Sequence, residues 1–510
     1  MSNSRRTVES VPLLHDNNYR SSSRRQKRYD KTTEFYVPSR DAKQTPSVPP
    51  GVERNEEKYR RQRTERPPPR YETDPSSSQY RFRPYFIVTV TLVEVVVFVY
   101  EIVAGGIAPV SFTPVTEELV SVPIFGQNYN ETVKRGVVSN WFIGPDPSFF
   151  VHNAAKFTLC MRKDTALLTR LAQQRIEENY LRCCSLNDGS KACGMVLQEQ
   201  CKSFPTPGTV LGGASQCDQS GGLCDGGVTL GPCCVGLDAG CILTSRENCS
   251  FQNGYWHSNI SLCRDVNCLA DVCRVPAFAD SADSQENANQ WYRFITPIFL
   301  HAGIIHIVLV LIFQLWLGIK VERQFGWLSI GIVYIISGIG GYLVSGIFDP
   351  QSQSVGASGA LMGLLGVKYV DLFLSWSCHY QKPCRTLTAL ILDTIVILIV
   401  GTTPYVDNFA HIGGFVIGTT TAFIIIPYIK YLRHDRVSRL GRRWQCGRVM
   451  CCVVVFLPLL LSLFLIGFIV FYQTQNTEFC SWCHYINCIP YVKGFCEEGF
   501  SSLVEATKNW

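Results

Sequence analysis

Residues 355–366 read VGASGALMGLLG, an apolar run with a single hydroxyl, Ser358, held between Gly356 and Gly359. So apolar a stretch reads as membrane helix. A serine flanked by glycines inside it is either a nucleophile or a small residue that lets two helices pack closely.

Outward from this stretch the apolar residues come in blocks. Crossing a bilayer as a helix takes about 20 mostly apolar residues. Seven segments meet that requirement: Tyr85–Ala104, Thr296–Ile319, Trp327–Phe348, Val355–Trp376, Thr386–Thr403, Asn408–Ile429 and Met450–Tyr472. The pattern predicts an all-α polytopic membrane protein with seven transmembrane helices, one isolated and six in a bundle, and a disulfide-rich lumenal loop domain. In sequence order the expected parts are a disordered cytosolic tail (1–84), the first transmembrane helix (85–104), a cysteine-rich lumenal or extracellular domain (105–290) and a core with five transmembrane helices (291–429). A basic cytosolic loop (430–449), the seventh helix (450–472) and a cysteine-containing lumenal tail (473–510) follow.

Residues 1–84 carry 19 Lys and Arg against 11 Asp and Glu, net +8, and have no short apolar core with a small-residue cleavage site. With that tail in the cytosol, the most basic connection, YIKYLRHDRVSRLGRRWQCGR, also falls inside, as the positive-inside rule requires. The expected location is therefore a multi-pass membrane protein of the endoplasmic reticulum, Golgi or plasma membrane, N-terminus cytosolic. Of the 23 cysteines, fourteen lie between the first and second spans and four in the C-terminal tail, both on the predicted lumenal side. Even numbers in an oxidising compartment read as disulfides, and acceptor sequons at Asn130, Asn248 and Asn259 share that loop. Zinc is the weaker reading, because Cys183-Cys184 and Cys233-Cys234 are adjacent pairs and no C-x-x-C register repeats. The pairing stays open. The glycine-rich middle, GTVLGGASQCDQSGGLCDGGVTLGPCC, has neither helical nor alternating period and predicts a loop-rich domain.

Ionisable groups inside a membrane mark function by default. His301 and His306 in the second segment and His411 in the sixth stand out; His301, Ser358 and His411 count to within one turn of the same depth in segments that enter from the same side, with His306 somewhat over a turn deeper. A serine needs a base within hydrogen-bond reach to become a nucleophile. Gly359 and Gly363 on the fourth segment and Gly414 and Gly418 on the sixth have the four-residue spacing that brings helices close. The polar loop DPQSQS before Val355 would suit a water-filled cavity.

These residues resemble the rhomboid superfamily of intramembrane serine proteases. WYRFITPIFLHAGIIH, GASG and AHIGGFVIG are similar to its arginine-containing loop, its G-x-S-G nucleophile motif and its A-H-x-x-G base motif, over about Trp291 to Ile429. The resemblance implies Ser358 as nucleophile and His411 as general base, with the Ser358 N–H and His306 facing the oxyanion. Arg293 and Glu322 match structural positions that brace loops. Two positions depart: Val310 stands where active rhomboids place an asparagine, and Met362 where an aromatic residue stacks on the base. WFIGPDPSFFVHNAAKFTLCMRKD, GPCCVG, NCLADVC and TPYVDNFAHIGGF look like the iRhoms, the inactive branch, although that branch often lacks the serine.

Two functions follow. One is a rhomboid-like protease cutting single-pass transmembrane proteins near their lumenal end; the retained Ser358 and His411 favour it. The other is an iRhom-type pseudoprotease that binds single-pass clients, among them growth-factor precursors and a sheddase metalloprotease, and controls their exit from the endoplasmic reticulum. The expected partners are single-pass proteins and membrane lipid. No metal, small-molecule cofactor or nucleic acid is implied, and the sequence has no P-loop, Rossmann fingerprint or nucleic-acid module. Cys446, Cys451 and Cys452 read as palmitoylation sites or idle thiols.

Overall fold

The computed structural model describes residues 82–110, 115–124, 127–136, 140–187, 193–203, 208–213, 217, 228–258, 260–274, 289–376, 382–403, 406–433, 439–473, 480 and 482–489. The basic tail before 82, Asn259, Cys224 and Cys496 lie outside the described residues.

The long helices are α1 (Tyr85–Gly105), α2 (Ile304–Phe325), α3 (Trp327–Phe348), α4 (Ser358–Leu374), α5 (Pro383–Val400), α6 (Asn408–Arg433) and α7 (Arg439–Gln473). Six of these are long and apolar enough to cross a bilayer, not the seven expected. The exception is α4, whose 17 residues span about 26 Å at 1.5 Å per residue. It is also the most enclosed, buried without interruption from Gly359 to Val367. A helix enclosed by protein over most of its length has little lipid thickness to match.

The second expected span is also shorter at its start. Residues Trp291–Phe294 and Thr296–Phe299 form two 3-10 turns, and α2 begins only at Ile304. Pro297 in the second turn and Gly303 at the N-cap break the helix, so His301 lies in a connecting loop and not inside a span. Within α2, residues Gln314–Gly318 widen into one π-helical stretch, a feature that often marks a polar insertion. Here the buried Gln314 is the inserted group.

α1 buries one stripe only: Ile87, Val90, Glu94 and Glu101. Gln314 Nε2 donates to Glu94 Oε2 at 2.6 Å and to Thr91 Oγ1 at 2.8 Å, and the Tyr334 hydroxyl of α3 lies 2.7 Å from Glu94 Oε1. Glu101 accepts the backbone N–H of His301 at 3.1 Å. Glu322, near the end of α2, accepts the N–H groups of Phe86 and Ile87, both at 2.7 Å, and so caps the open start of α1. Carboxyl groups thus fasten α1 at both ends and at its middle.

The cysteine-rich domain corrects the all-α expectation. Strands β1 (Val115–Ile124) and β2 (Gln127–Gly136) form a hairpin. Strands β3 (Leu181–Leu186), β4 (Cys193–Leu197), β5 (Gly208–Gly212), β6 (Val228–Val235) and β7 (Gly240–Thr244) form a sheet ordered β5-β3-β4-β6-β7, with β8 (Tyr255–Trp256) also paired to β6. All pairings in it are antiparallel except β4 with β6. Strand β5 and most of β6 lie inside the glycine-rich stretch expected to be loop, their alternation hidden by glycine in both and by the adjacent cysteines in β6. Disulfides Cys160–Cys273, Cys183–Cys217, Cys184–Cys201, Cys233–Cys249, Cys234–Cys268 and Cys241–Cys263 run through the small hydrophobic clusters. Cys193 is also disulfide-bonded.

Candidate active site

Each group of interest sits at a helix start. Ser358 is the first residue of α4, His306 the third of α2 and His411 the fourth of α6. What brings α4 and α6 together is the glycine seam. A Cβ on Gly414 would lie 2.0 Å from the Gly359 carbonyl oxygen, and one on Gly418 only 2.2 Å from the Gly363 Cα. Backbone touches backbone along this seam, and any side chain there would separate the helices.

The chain reaches Ser358 through a fixed bend. Gly356 adopts φ +125°, a conformation other residues rarely take. Its N–H donates to Pro297 O at 2.8 Å, and its carbonyl accepts the Tyr342 hydroxyl at 2.5 Å. The His306 ring presses on this bend, since a Cβ at Gly356 would meet His306 Cε1 at 2.7 Å and Nε2 at 3.0 Å. His306 Nδ1 accepts from the Ala302 N–H at 3.3 Å, which leaves the ring proton on Nε2, facing the approach to Ser358. His301 is fully buried, packs edge-on against His306 with centroids 5.6 Å apart, and has both ring nitrogens without a hydrogen bond among the described residues.

His411 is set up as a base and is not engaged as one. Asn408 donates its Nδ2 to the carbonyls of Leu398 and Ile486, which turns its Oδ1 toward His411 Nδ1 at 3.3 Å. Nδ1 therefore carries the proton and Nε2 the lone pair. That Nε2 is buried and accepts no hydrogen bond, so the Ser358 hydroxyl is not bonded to it. No serine–histidine hydrogen bond is formed in this arrangement. Val310 and Met362, at the two departing positions, are both buried in the apolar core and supply no donor.

The roof over the site comes from the cysteine-rich domain, a feature the sequence did not announce. Asn140 donates to Ala302 O at 2.6 Å and Pro145 O at 2.7 Å, while the Phe142 and Ile143 carbonyls accept the opening N–H groups of α2, from Ile305 at 3.1 Å and Ile304 at 3.0 Å. Phe142 lies on the outer side of His306, centroids 5.4 Å apart. Lys156 is fully buried, and its Nζ donates to Asp349 O at 2.6 Å and Ser352 O at 3.0 Å. Its backbone bridges Ser354 twice, both at 3.1 Å. The loop DPQSQS is thus held by Lys156, and its Gln353 and Ser354 border a small cavity shared with Asn140, Phe150 and Ala302. Asp407 caps α6 through Ala410 N–H at 2.9 Å and also accepts the hydroxyls of Ser345 and Ser354. From the C-terminal tail, Asn487 accepts the N–H of Asn408 at 2.9 Å and donates to Asp349.

The remaining sequence candidates lie farther out. Arg293 is fully buried and donates to Gln290 Oε1 at 2.6 Å and to the carbonyls of Val151 (2.9 Å), Ala155 (2.7 Å) and Cys273 (3.2 Å), tying the cysteine-rich domain to the approach to α2. Burial lowers its pKa to about 10. Asn130 lies on β2. Asn248 is buried, its Nδ2 donating to Thr244 Oγ1 at 2.8 Å, so the folded domain offers no amide there for a glycan. Glu94 and Glu101 escaped the sequence reading, although two acids seven apart in an otherwise apolar helix are a plain signal for one polar face.

The rhomboid domain signature matches residues 288–428, which contain Arg293, His306, Ser358 and His411. Inactive rhomboid protein 1 of Danio rerio is 32% identical over 465 residues, covering 82% of this chain and 52% of that protein. Its Homo sapiens counterpart is 31% identical over 465 residues, and inactive rhomboid protein 2 of Homo sapiens 29% over 469, with the same coverage. The chain belongs to the rhomboid superfamily, in its inactive-rhomboid branch. It spans about half the length of the curated relatives it matches, 52%. Ser358 and His411 both fall inside this rhomboid match, and the cysteine-rich domain precedes it in the chain. The names of these relatives and the unbonded His411 shift the balance away from the protease that the retained pair favoured.

Proposed function

We propose that this chain is a non-catalytic rhomboid that binds the transmembrane segments of single-pass proteins and controls their passage through the secretory pathway. The reading includes α4 as a seventh, protein-sheathed membrane helix, the N-terminus in the cytosol and the cysteine-rich domain in the lumen. Growth-factor precursors and a sheddase metalloprotease are the proposed clients, by resemblance to the iRhoms. One observation carries the loss of catalysis: His411 Nε2, positioned to accept a proton, accepts from nothing. A base with no hydrogen bond to the hydroxyl has no hold on its proton, and Val310 leaves the oxyanion one donor poorer, a loss that typically costs about 100-fold to 1,000-fold in turnover. The bonds of Asn140 to Ala302 and of Lys156 to Asp349 also tie the cysteine-rich domain to the loops that flank His306 and Ser358, which suits a held scaffold better than a site that opens to a client backbone.

The test co-expresses the full chain with a panel of single-pass reporters, beside Ser358→Ala and His411→Ala. The expected result is no released fragment from any of the three, with reporter capture and surface delivery unchanged between them. A juxtamembrane fragment that both substitutions abolish would restore the protease reading.

A further inference from the structure

α5 is held to the protein along one stripe. Leu390 is buried, Leu387 and Ile397 pack on the core, and the Thr394 hydroxyl lies 2.9 Å from that of Tyr369 on α4. Positions 387, 390, 394 and 397 have the alternating three-and-four spacing of a helix-packing seam. Only 6% of this span is buried inside the protein, against 61% in α3 and α6.

A second stripe with the same spacing runs beside the first: Thr386, Ala389, Asp393, Val396 and Val400. No other element among the described residues buries any of these five. Val396 is 58% and Val400 46% exposed, Ala389 is exposed, and Thr386 and Asp393 are partly exposed. Asp393 is the eleventh of the helix's 18 residues, close to mid-bilayer. A carboxyl group there is costly unless a partner meets it. Glu94 and Glu101 have such partners within the chain; Asp393 has no hydrogen bond or ion pair among the described residues.

We propose that this flank of α5 docks the transmembrane helix of a single-pass protein carrying a lysine or arginine at mid-depth. The small Thr386 and Ala389 allow close approach, and a basic residue opposite Asp393 relieves two costly groups at once. Lipid tails offer no donor. A second copy of the chain, docked by the same stripe about a two-fold axis, would set Asp393 against its own carboxyl. The inference rests on the client-binding reading and adds what would select the client.

The experiment uses the full-length chain with Val396→Cys, co-expressed with polyleucine single-pass reporters bearing a central leucine, lysine or glutamate and one cysteine at the matching depth. Co-purification and cysteine cross-linking are both read. The lysine reporter is expected to cross-link about tenfold more than the leucine reporter, the worth of one good interhelical polar contact. Asp393→Leu, which faces lipid and keeps the wild-type elution profile, removes that preference, and Asp393→Lys transfers it to the glutamate reporter. Equal cross-linking of lysine and leucine reporters overturns the inference while leaving client binding intact. Failure to capture any reporter overturns both. A cross-link between two copies of the chain, in place of one to a reporter, assigns the flank to self-association and overturns it as well.

Discussion

Glu322 shows how one side chain can serve an element it is remote from in sequence. Its two oxygens satisfy two of the N–H groups that α1 leaves open at its start, more than 230 residues away (|i−j| 236 and 235). Loss of a helix cap costs about 0.5–2 kcal/mol, and these bonds are charge-assisted and shielded. Glu322→Ala is therefore expected to lower the thermal midpoint in detergent by several degrees, with Glu322→Gln in between; an unchanged midpoint for Glu322→Ala would show that α1 needs no such cap. At Arg293 the stakes are higher, because three backbone carbonyls depend on one guanidinium. Stranding buried acceptors costs about 1–3 kcal/mol each. Arg293→Met should make the cysteine-rich domain more sensitive to limited proteolysis, and digestion at the wild-type rate would contradict that.

Among the elements, α1 is the most exposed to a test. Glu94, Gln314 and Tyr334 form a network in which each single loss strands the others, whereas wholesale apolar replacement leaves nothing unpaired. Tyr334→Phe alone is expected to destabilise by about 1–2 kcal/mol, and Glu94→Leu, Gln314→Leu and Tyr334→Phe together by less than the sum of the singles. Strictly additive losses in a mutant cycle would rule the network out. Helices such as α3 and α6 were legible because apolar length and glycine spacing are local signals, and Ser358 and His411 because polar groups are conspicuous in such runs. Lys156, Asn140 and Phe142 were not, since their partners lie roughly 160 to 200 residues away (162 from Asn140 to Ala302, 196 from Lys156 to Ser352) and no periodicity encodes that. Strands β5 and β6 were hidden for another reason, a glycine- and cysteine-rich composition whose interior order comes from covalent bonds.

On the scale of the molecule, the two thiol states are spatially sorted. The disulfides join the cysteine-rich domain and the tail, where Cys480 pairs with Cys483. Among the described residues the cysteines outside disulfides, Cys384, Cys446, Cys451 and Cys452, sit at the first turn of α5 and in the first half of α7, toward the opposite ends of helices that finish beside the tail. An impermeant maleimide added to sealed vesicles should label them only from the face away from the cysteine-rich domain; labelling from the other face would reverse the orientation. The Cys160–Cys273 bond closes a sequence separation of 113 residues. By loop entropy it is worth roughly 4–5 kcal/mol, so the paired serine variant should lose more stability than one lacking Cys233–Cys249, separated by 16.

The polar seat of α1 also sets a schedule for biosynthesis. Gln314 and Tyr334 follow Glu94 by 220 and 240 residues. At roughly 5–20 residues per second, the ribosome needs on the order of 10–45 s to deliver them. During that interval α1 has an acid in its middle and no mate, while the intervening segment, with six described disulfides still to close, is being made. The acid thus gains both of its hydrogen-bonding mates only after the whole intervening domain has been synthesised.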